Sequence, residues 1–316
     1  MRQTTWDQSL EAFATHQRAA NLTSKTIANR EECLRQFARR SDQEPHTVTL
    51  DHLEAYLGRD NYRTGRPLAA GTKMTERSYF QTFFAWLHTT GRRDDDPAAA
   101  LHRIKRPRRK PRPFRQAQVD HILDGGSYRR TRDIMIIAAL SGLRIGEIVK
   151  IRGEDIDWEV GELFTIRKGG VEHVIALHPV LQELATRYPR RGWWFPSPTK
   201  NRQFPTGGGH ILMKSASDRV SYAIRQAGLP AGRLTGHSFR HFYATELLNQ
   251  GVNIRVVQEM LGHASLATTQ LYTEVTTAQM HQSVALLPGI TLRERSGRVT
   301  RLVVRFQEPG TGQKAA

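Results

Sequence analysis

The sequence is poor in several things, and each absence narrows the field. Among its 316 residues there is one cysteine, Cys33, so neither an intrachain disulfide nor a cysteine-based zinc site is available, in keeping with a reducing compartment. Mean hydropathy is −0.54, and no uninterrupted apolar run is long enough to cross a bilayer, so no membrane partner is expected. The stretch from Met1 to Phe13 lacks the basic, apolar, small-residue order of a secretion signal, which points to the cytoplasm. No internal repeat is visible. Acidic residues are scarce: 30 Asp and Glu stand against 47 Lys and Arg, a net charge of +17. Hydrophobic residues at 38% are enough for a core and argue against wholesale disorder. An excess of cations on this scale is the footprint of a nucleic-acid partner, because Lys and Arg that neutralise phosphates release condensed counterions. Composition does not separate a repressor from a nuclease or a ribosome-associated protein.

The length suggests about two domains. The boundary is the run from His102 to Pro113, where Pro107, Pro111 and Pro113 forbid a regular helix and the cations repel one another. Residues 103–114 therefore read as a basic, Pro-rich linker lying along a phosphate backbone, with Lys105, Arg106, Arg108, Arg109, Lys110 and Arg112 as candidate DNA contacts. Residues 1–102 read as a small all-helical domain. Trp6, Leu10, Phe13 and Ala14 share one helix face, Ser24 is placed to cap a second helix, a third spans about Leu50 to Leu57, and a fourth runs from near Gly71 to Thr90. Asp96-Pro97 is expected to begin a last helical turn. Lys73 and Arg77 lie among the exposed positions and join the candidate DNA contacts.

Residues 115–288 mix the two patterns. Ile134 to Leu140 is apolar on every side, as a helix in mid-core would be. Ser141-Gly142 breaks it, and a helix over Ile145 to Ile151 follows. Two strands, Leu163–Ile166 and Val171–Leu177, flank Gly169-Gly170, a composition suited to a hairpin. Helical patterns return from about Ser217 and run to Leu287. Residues 289–316 form a polar, Gly-containing tail in which Val299 to Phe306 alternates basic and apolar residues.

Four segments of this second domain carry polar groups of interest. Arg144 follows the break in the core helix, where a salt bridge to Glu147 is its simplest explanation. Lys168 sits at the hairpin tip, where most lysines face solvent. His237 and Arg240, at i and i+3, share one side of a helix, while Phe239 and Phe242 bury another. His237 and His241, at i and i+4, could suggest a metal site. The accompanying Glu is missing and Arg240 puts a fixed cation beside it, so no metal is expected. Asn253 caps a helix that Gly262 ends, leaving His263 at an exposed corner, and a further helix carries Tyr272, ordinarily a packing residue.

Taken in order these residues resemble the tyrosine recombinases, or phage-integrase-family site-specific recombinases. The boxes are Gly142-Leu143-Arg144-Ile145-Gly146-Glu147, Lys168-Gly169, His237 with Arg240, Leu261-Gly262-His263, and Tyr272 nine residues beyond His263. The resemblance implies a mainly α fold with a small antiparallel β-sheet. Its two domains would be an N-terminal helical, SAM-like core-binding domain and a mixed α+β catalytic domain. It implies that Tyr272 attacks a phosphodiester to give a 3′-phosphotyrosine, with strand exchange through a Holliday junction and no cofactor. Arg144 and Arg240 would hold the nonbridging oxygens and Lys168 would be the general acid toward the 5′-oxygen. His237 would bond the phosphate or assist proton transfer, His263 would bond it, and Glu147 would buttress the cations. The implied partners are double-stranded DNA with inverted core sites, a homotetramer on two duplexes, and accessory DNA-bending or directionality factors, in a nucleoid-associated location. Residues Gln279 to Leu287 resemble the family's helix that packs on a neighbouring protomer. His173 stands where many relatives have Arg. A compact Xer-like or simple-integrase type without an arm-binding domain is expected, most simply integrating or excising a mobile element. Xer-type dimer resolution, a type IB topoisomerase and a non-cleaving DNA-binding regulator are the alternatives.

Overall fold

A computed structural model describes residues 5–105, 113–166, 170, 172–230, 234–262 and 277–288. The chain divides into two compact units, Met1–Arg109 and Lys110–Ala316.

The first unit is built on α1 (Trp6–Ala19), α2 (Ser24–Ser41), α3 (Leu50–Gly58) and α4 (Ala70–Thr89). Their apolar faces meet in an aromatic core in which Phe13, Phe37, Phe80, Phe83 and Phe84 are buried and Trp6 stacks on Phe83. Thr23, rather than Ser24, caps α2. Its hydroxyl accepts from the Thr26 N–H at 3.3 Å, so Ser24 becomes the first helical residue. The helical turn expected at Asp96-Pro97 is a plain turn, held where Asp96 Oδ1 accepts from the Ala98 N–H. Lys73 is half-buried and Lys105 exposed. Arg77 is not simply surface charge: its Nε and Nη2 donate to the Leu101 carbonyl at 3.2 and 2.7 Å, closing the unit's last turn. Arg106, Arg108, Arg109, Lys110 and Arg112 lie outside the described residues.

The second unit contains α5 (Gln116–Asp124), α6 (Arg129–Ser141), α7 (Ile145–Ile148), β1 (Ile156–Asp157), β2 (Glu162–Ile166), β3 (Glu172–Ala176), α8 (Pro179–Ala185), α9 (Met213–Gln226), α10 (Gly236–Asn249), α11 (Ile254–Leu261) and α12 (Thr277–Ala285). As its composition demands, α6 runs through the middle: Ile134 to Ser141 are all buried, and α5, α7, α8, α9 and α10 pack around it. The strands form one antiparallel sheet in the order β1-β2-β3, with Leu163 opposite Ile175 and Thr165 opposite His173. The fold is therefore mainly α with a small antiparallel sheet. Three boundaries differ from the sequence reading. The helix after the break is a single turn, α7, not a stretch to Ile151; β1 adds a short third strand; and α9 begins at Met213, four residues before Ser217.

The helix expected over Gln279 to Leu287 is present as α12. Here α12 packs against β3 and α11, Val284 and Leu287 are each 1% exposed, and His281 Nε2 is 3.5 Å from Glu162 Oε1. His178 secures the arrangement: its Nδ1 accepts from the Val180 N–H at 3.1 Å as the cap of α8, and its Nε2 donates to the Leu287 carbonyl at 3.4 Å. Burial of His178 pushes its pKa down to about 4. No described helix is long and apolar enough to cross a membrane.

Candidate active site

The site begins where α6 ends. Gly142 takes φ +64°, and a Cβ there would stand 2.6 Å from Tyr243 Cδ1 and 2.9 Å from Leu261 Cδ2. A side chain is thus excluded twice, by backbone conformation and by space. The Ser141 hydroxyl donates to the Ile137 carbonyl and accepts from the Leu143 N–H, fixing the turn that delivers Arg144. Arg144 caps α7. One Glu147 oxygen accepts from its backbone N–H at 2.8 Å and the other from its Nη1 at 2.9 Å. The Arg144 side chain remains 45% exposed, whereas that of Glu147 is 12% exposed. Gly146 admits the Met213 sulfur of α9, and Gly236, the first residue of α10, admits Ile145; in both cases a Cβ would meet a neighbour at 2.9 Å. Gly146 and Gly236 thus let α9 and α10 close on the Arg144 box.

Helix α10 starts on a capping box: Thr235 Oγ1 accepts from the His237 N–H, and Ser238 Oγ accepts from the Thr235 N–H. His237 is exposed in that first turn. One turn on, Arg240 is 3% exposed and lies between the fully buried Phe239 and Phe242. Spacing alone put His237 and Arg240 together, but the rim of the domain falls between them: the histidine faces out and the arginine in. Arg240 Nη1 donates to the Gly142 carbonyl at 2.6 Å, and Nη2 donates to the Leu261 carbonyl at 2.5 Å. The His237 ring meets His241 edge to face, with centroids 4.9 Å apart. Burial, and then the neighbouring Arg240 charge, hold the His241 pKa below the ordinary imidazole range.

Helix α11 starts at its Asn253 cap and ends at Gly262 in the left-handed conformation, φ 57° and ψ 52°. Leu261 therefore presents its carbonyl to Arg240 immediately before the chain reaches His263. Arg240 ties together the ends of two segments, one leading to Arg144 and the other to His263. Among the described residues this places Arg144, Glu147, His237 and Arg240; Lys168, His263 and Tyr272 lie outside them. Sequence reasoning missed the carbonyl seat of Arg240, although the obligatory glycine at 142 was its visible sign. It also missed the contact of His173, whose Nε2 donates to the Met260 carbonyl at 3.1 Å. Among the described residues no group of three or more His, Cys, Asp or Glu is placed to hold a metal ion. A guanidinium locked in plane by two carbonyls is a cation that does not deprotonate and does not wander, which suits it to meet developing negative charge.

Comparison with known proteins gives a consistent picture. The model described as the phage integrase family matches residues 113–279. Tyrosine recombinase XerD of Vibrio cholerae serotype O1 is 31% identical over 241 residues, covering 74% of this chain and 78% of that protein. Among solved structures, an integrase from mycobacterium phage Brujita is 31% identical, covers 88% of this chain and 92% of its own, and superposes with a TM-score of 0.50. A lambda integrase tetramer bound to a Holliday junction superposes at 0.65 with 18% identity, covering 84% of this chain and 80% of that one. The last likeness speaks for the fold.

Proposed function

The chain belongs to the phage integrase family of tyrosine recombinases, and from that premise we propose that Tyr272 is its nucleophile and that Arg144, Lys168, His237, Arg240 and His263 serve it. The protein is a site-specific recombinase that cleaves and rejoins DNA. In the proposed step Tyr272 Oη bonds to phosphorus as the bond to the 5′-oxygen breaks. The phenolic proton passes to neutral His237, and Lys168 gives its proton to the departing 5′-oxygen. Charge gathered on the nonbridging oxygens is met by Arg144 and Arg240, whose planar forks match them, with His263 as a further donor. Glu147 keeps Arg144 in place. The phosphotyrosine stores the energy of the broken ester, so attack by another 5′-hydroxyl reverses the step without ATP. The observation that carries this reading is the bridging of the Gly142 and Leu261 carbonyls by buried Arg240, which brings two distant boxes to one point.

Residues 1–102 would grip the DNA core site, residues 103–114 would follow its backbone, and residues 115–288 would do the chemistry. The functional assembly would be four protomers on two duplexes, supported by the fold shared with the lambda integrase tetramer on a Holliday junction. We place the enzyme in integration and excision of a mobile element, because its likeness to the phage Brujita integrase runs through 92% of that chain. The XerD likeness supports the second reading, resolution of chromosome or plasmid dimers.

The test is a nicked suicide duplex made from the DNA flanking the gene. Wild-type protein should leave an SDS-stable adduct, and Tyr272→Phe should bind the same duplex without one. An adduct on Tyr272→Phe removes Tyr272 from the role, and no wild-type adduct favours a regulator. Recombination between two unlike sites marks a mobile-element enzyme, and recombination only between two identical sites marks dimer resolution.

A further inference from the structure

An α-helix leaves its last four carbonyls without intrahelical partners. At α11 all four are met, and the way they are met has a consequence. The Gly262 N–H reaches the Gln258 and Glu259 carbonyls, Leu261 receives Arg240, and Met260 receives the Nε2–H of His173. Two successive carbonyls thus hold one side chain from α10 and one from β3.

The β2–β3 hairpin needs such a hold. Its base is anchored by buried Leu163, Ile175 and Ala176. Toward the loop, Phe164 is 50% exposed and Ile166 70% exposed, so the loop half has little apolar surface against the core. The register runs from Glu162 opposite Ala176 to Ile166 opposite Glu172, which puts His173 one residue from the loop end and Lys168 within the intervening sequence. A hydrogen bond at His173 therefore acts at the loosely packed end of the lever.

We propose that His173 is a positioning residue that ties the loop end of the hairpin to the helix terminus seating Arg240, so that the leaving-group acid and the transition-state cation share one reference point. The proposal rests on Lys168 being that acid.

Cleavage of two duplexes by the full chain tests it, one with the ordinary 5′-oxygen at the scissile bond and one with sulfur in its place. A thiolate leaves without protonation, so the sulfur duplex bypasses the acid. His173→Leu and His173→Asn, neither able to reach the Met260 carbonyl with a donor, are expected to slow oxygen cleavage by about tenfold and sulfur cleavage by less than about twofold, a part of the roughly 10²–10⁴ that a general acid supplies. His173→Arg, which keeps a donor, should hold the wild-type ratio of the two rates. Lys168→Ala, the control, should be restored by sulfur. Equal slowing on both duplexes, or none on either, beside a restored Lys168→Ala overturns the tether alone. If sulfur fails to restore Lys168→Ala, the acid assignment falls and the proposal with it. Should His173→Leu not fold, the two rates of His173→Asn decide in its place.

Discussion

Both units bury an arginine on a pair of backbone carbonyls, and the two arginines differ in their company. In the first unit Arg93 donates from Nη1 to Pro45 and from Nη2 to Val48, at 2.5 and 2.6 Å, and Asp95 lies 2.6 Å from its Nε. The guanidinium holds the Asp95 carboxyl below its ordinary pKa. Both carbonyls belong to one short loop, so Arg93 pins a single segment, 45–48 residues before it, and carries its own counterion. In the second unit the carbonyls that hold Arg240 come from 98 residues before it and 21 residues after it, each beside a sequence box. A buried, carbonyl-seated arginine is thus a rigid cation in either place. What sets Arg240 apart is the set of segments it gathers.

The sharpest way to break this comparison is to delete each arginine. Arg240→Ala is expected to lower the rate of covalent adduct formation by about 10²–10³, the usual loss for a preorganised donor to a transition state, with duplex affinity kept. Arg93→Ala is expected to cost roughly 2–4 kcal/mol in thermal or denaturant unfolding of the first unit, because two buried carbonyls lose their donor, while adduct formation by folded molecules stays near wild type. A matching loss of adduct rate in folded Arg93→Ala would erase the distinction.

Two glycines with nearly the same backbone sharpen it. Gly142 and Gly91 have φ of +64° and +65°, but a Cβ at Gly91 meets nothing within 4 Å, whereas at Gly142 it meets Tyr243 and Leu261. Gly91→Ala should cost about 1–2 kcal/mol, from the left-handed conformation alone. Gly142→Ala should cost roughly 3–4 kcal/mol, from conformation plus overpacking, and should depress adduct formation by shifting the carbonyl under Arg240. Equilibrium unfolding and a suicide-duplex assay read both.

Acid separates the units next. His178 of the second unit is kept neutral by burial, with its pKa pushed down to about 4, so the unfolded chain binds a proton that the fold refuses. Its contribution is therefore complete above about pH 6.5 and is lost as pH falls toward 4, by roughly 3 kcal/mol in total. His178→Asn, which retains a capping oxygen, should flatten that part of the stability profile of the second unit and leave the first unchanged. The smallest effect belongs to the rim. Glu147→Gln should cost only about 0.5 kcal/mol of stability, because Arg144 is half-exposed, and its mark should be a several-fold slower adduct rate.

The legible parts of the molecule were those set by neighbours in sequence. The all-apolar run of α6 dictated its place in the core, Asn253 and Gly262 bounded α11, and the alternating strands around Gly169-Gly170 gave the hairpin. Capping was legible to within a residue, since Thr23 and Ser24 are both competent and only backbone geometry chooses between them. The remainder depended on partners far along the chain. Nothing local told that Arg77 would be spent on Leu101, that Arg240 would face inward while His237 faced out, or that His173 would reach Met260. The docking of Leu287 on His178 depends likewise on a contact across 109 residues. Two of the boxes were readable because glycine punctuates them, at positions 142 and 262, where the chain turns in the left-handed conformation.

One substrate change asks directly whether Arg240 meets negative charge on the phosphate. Replacing a nonbridging oxygen of the scissile phosphate by methyl removes that charge while keeping phosphorus, leaving group and Tyr272 in place. Arg240→Ala should cleave this uncharged linkage at least about tenfold faster than the ordinary phosphodiester, since the missing cation no longer has a charge to balance. If Arg240→Ala is equally inert on both linkages while wild type cleaves the phosphodiester, Arg240 only shapes the fold and the account is wrong.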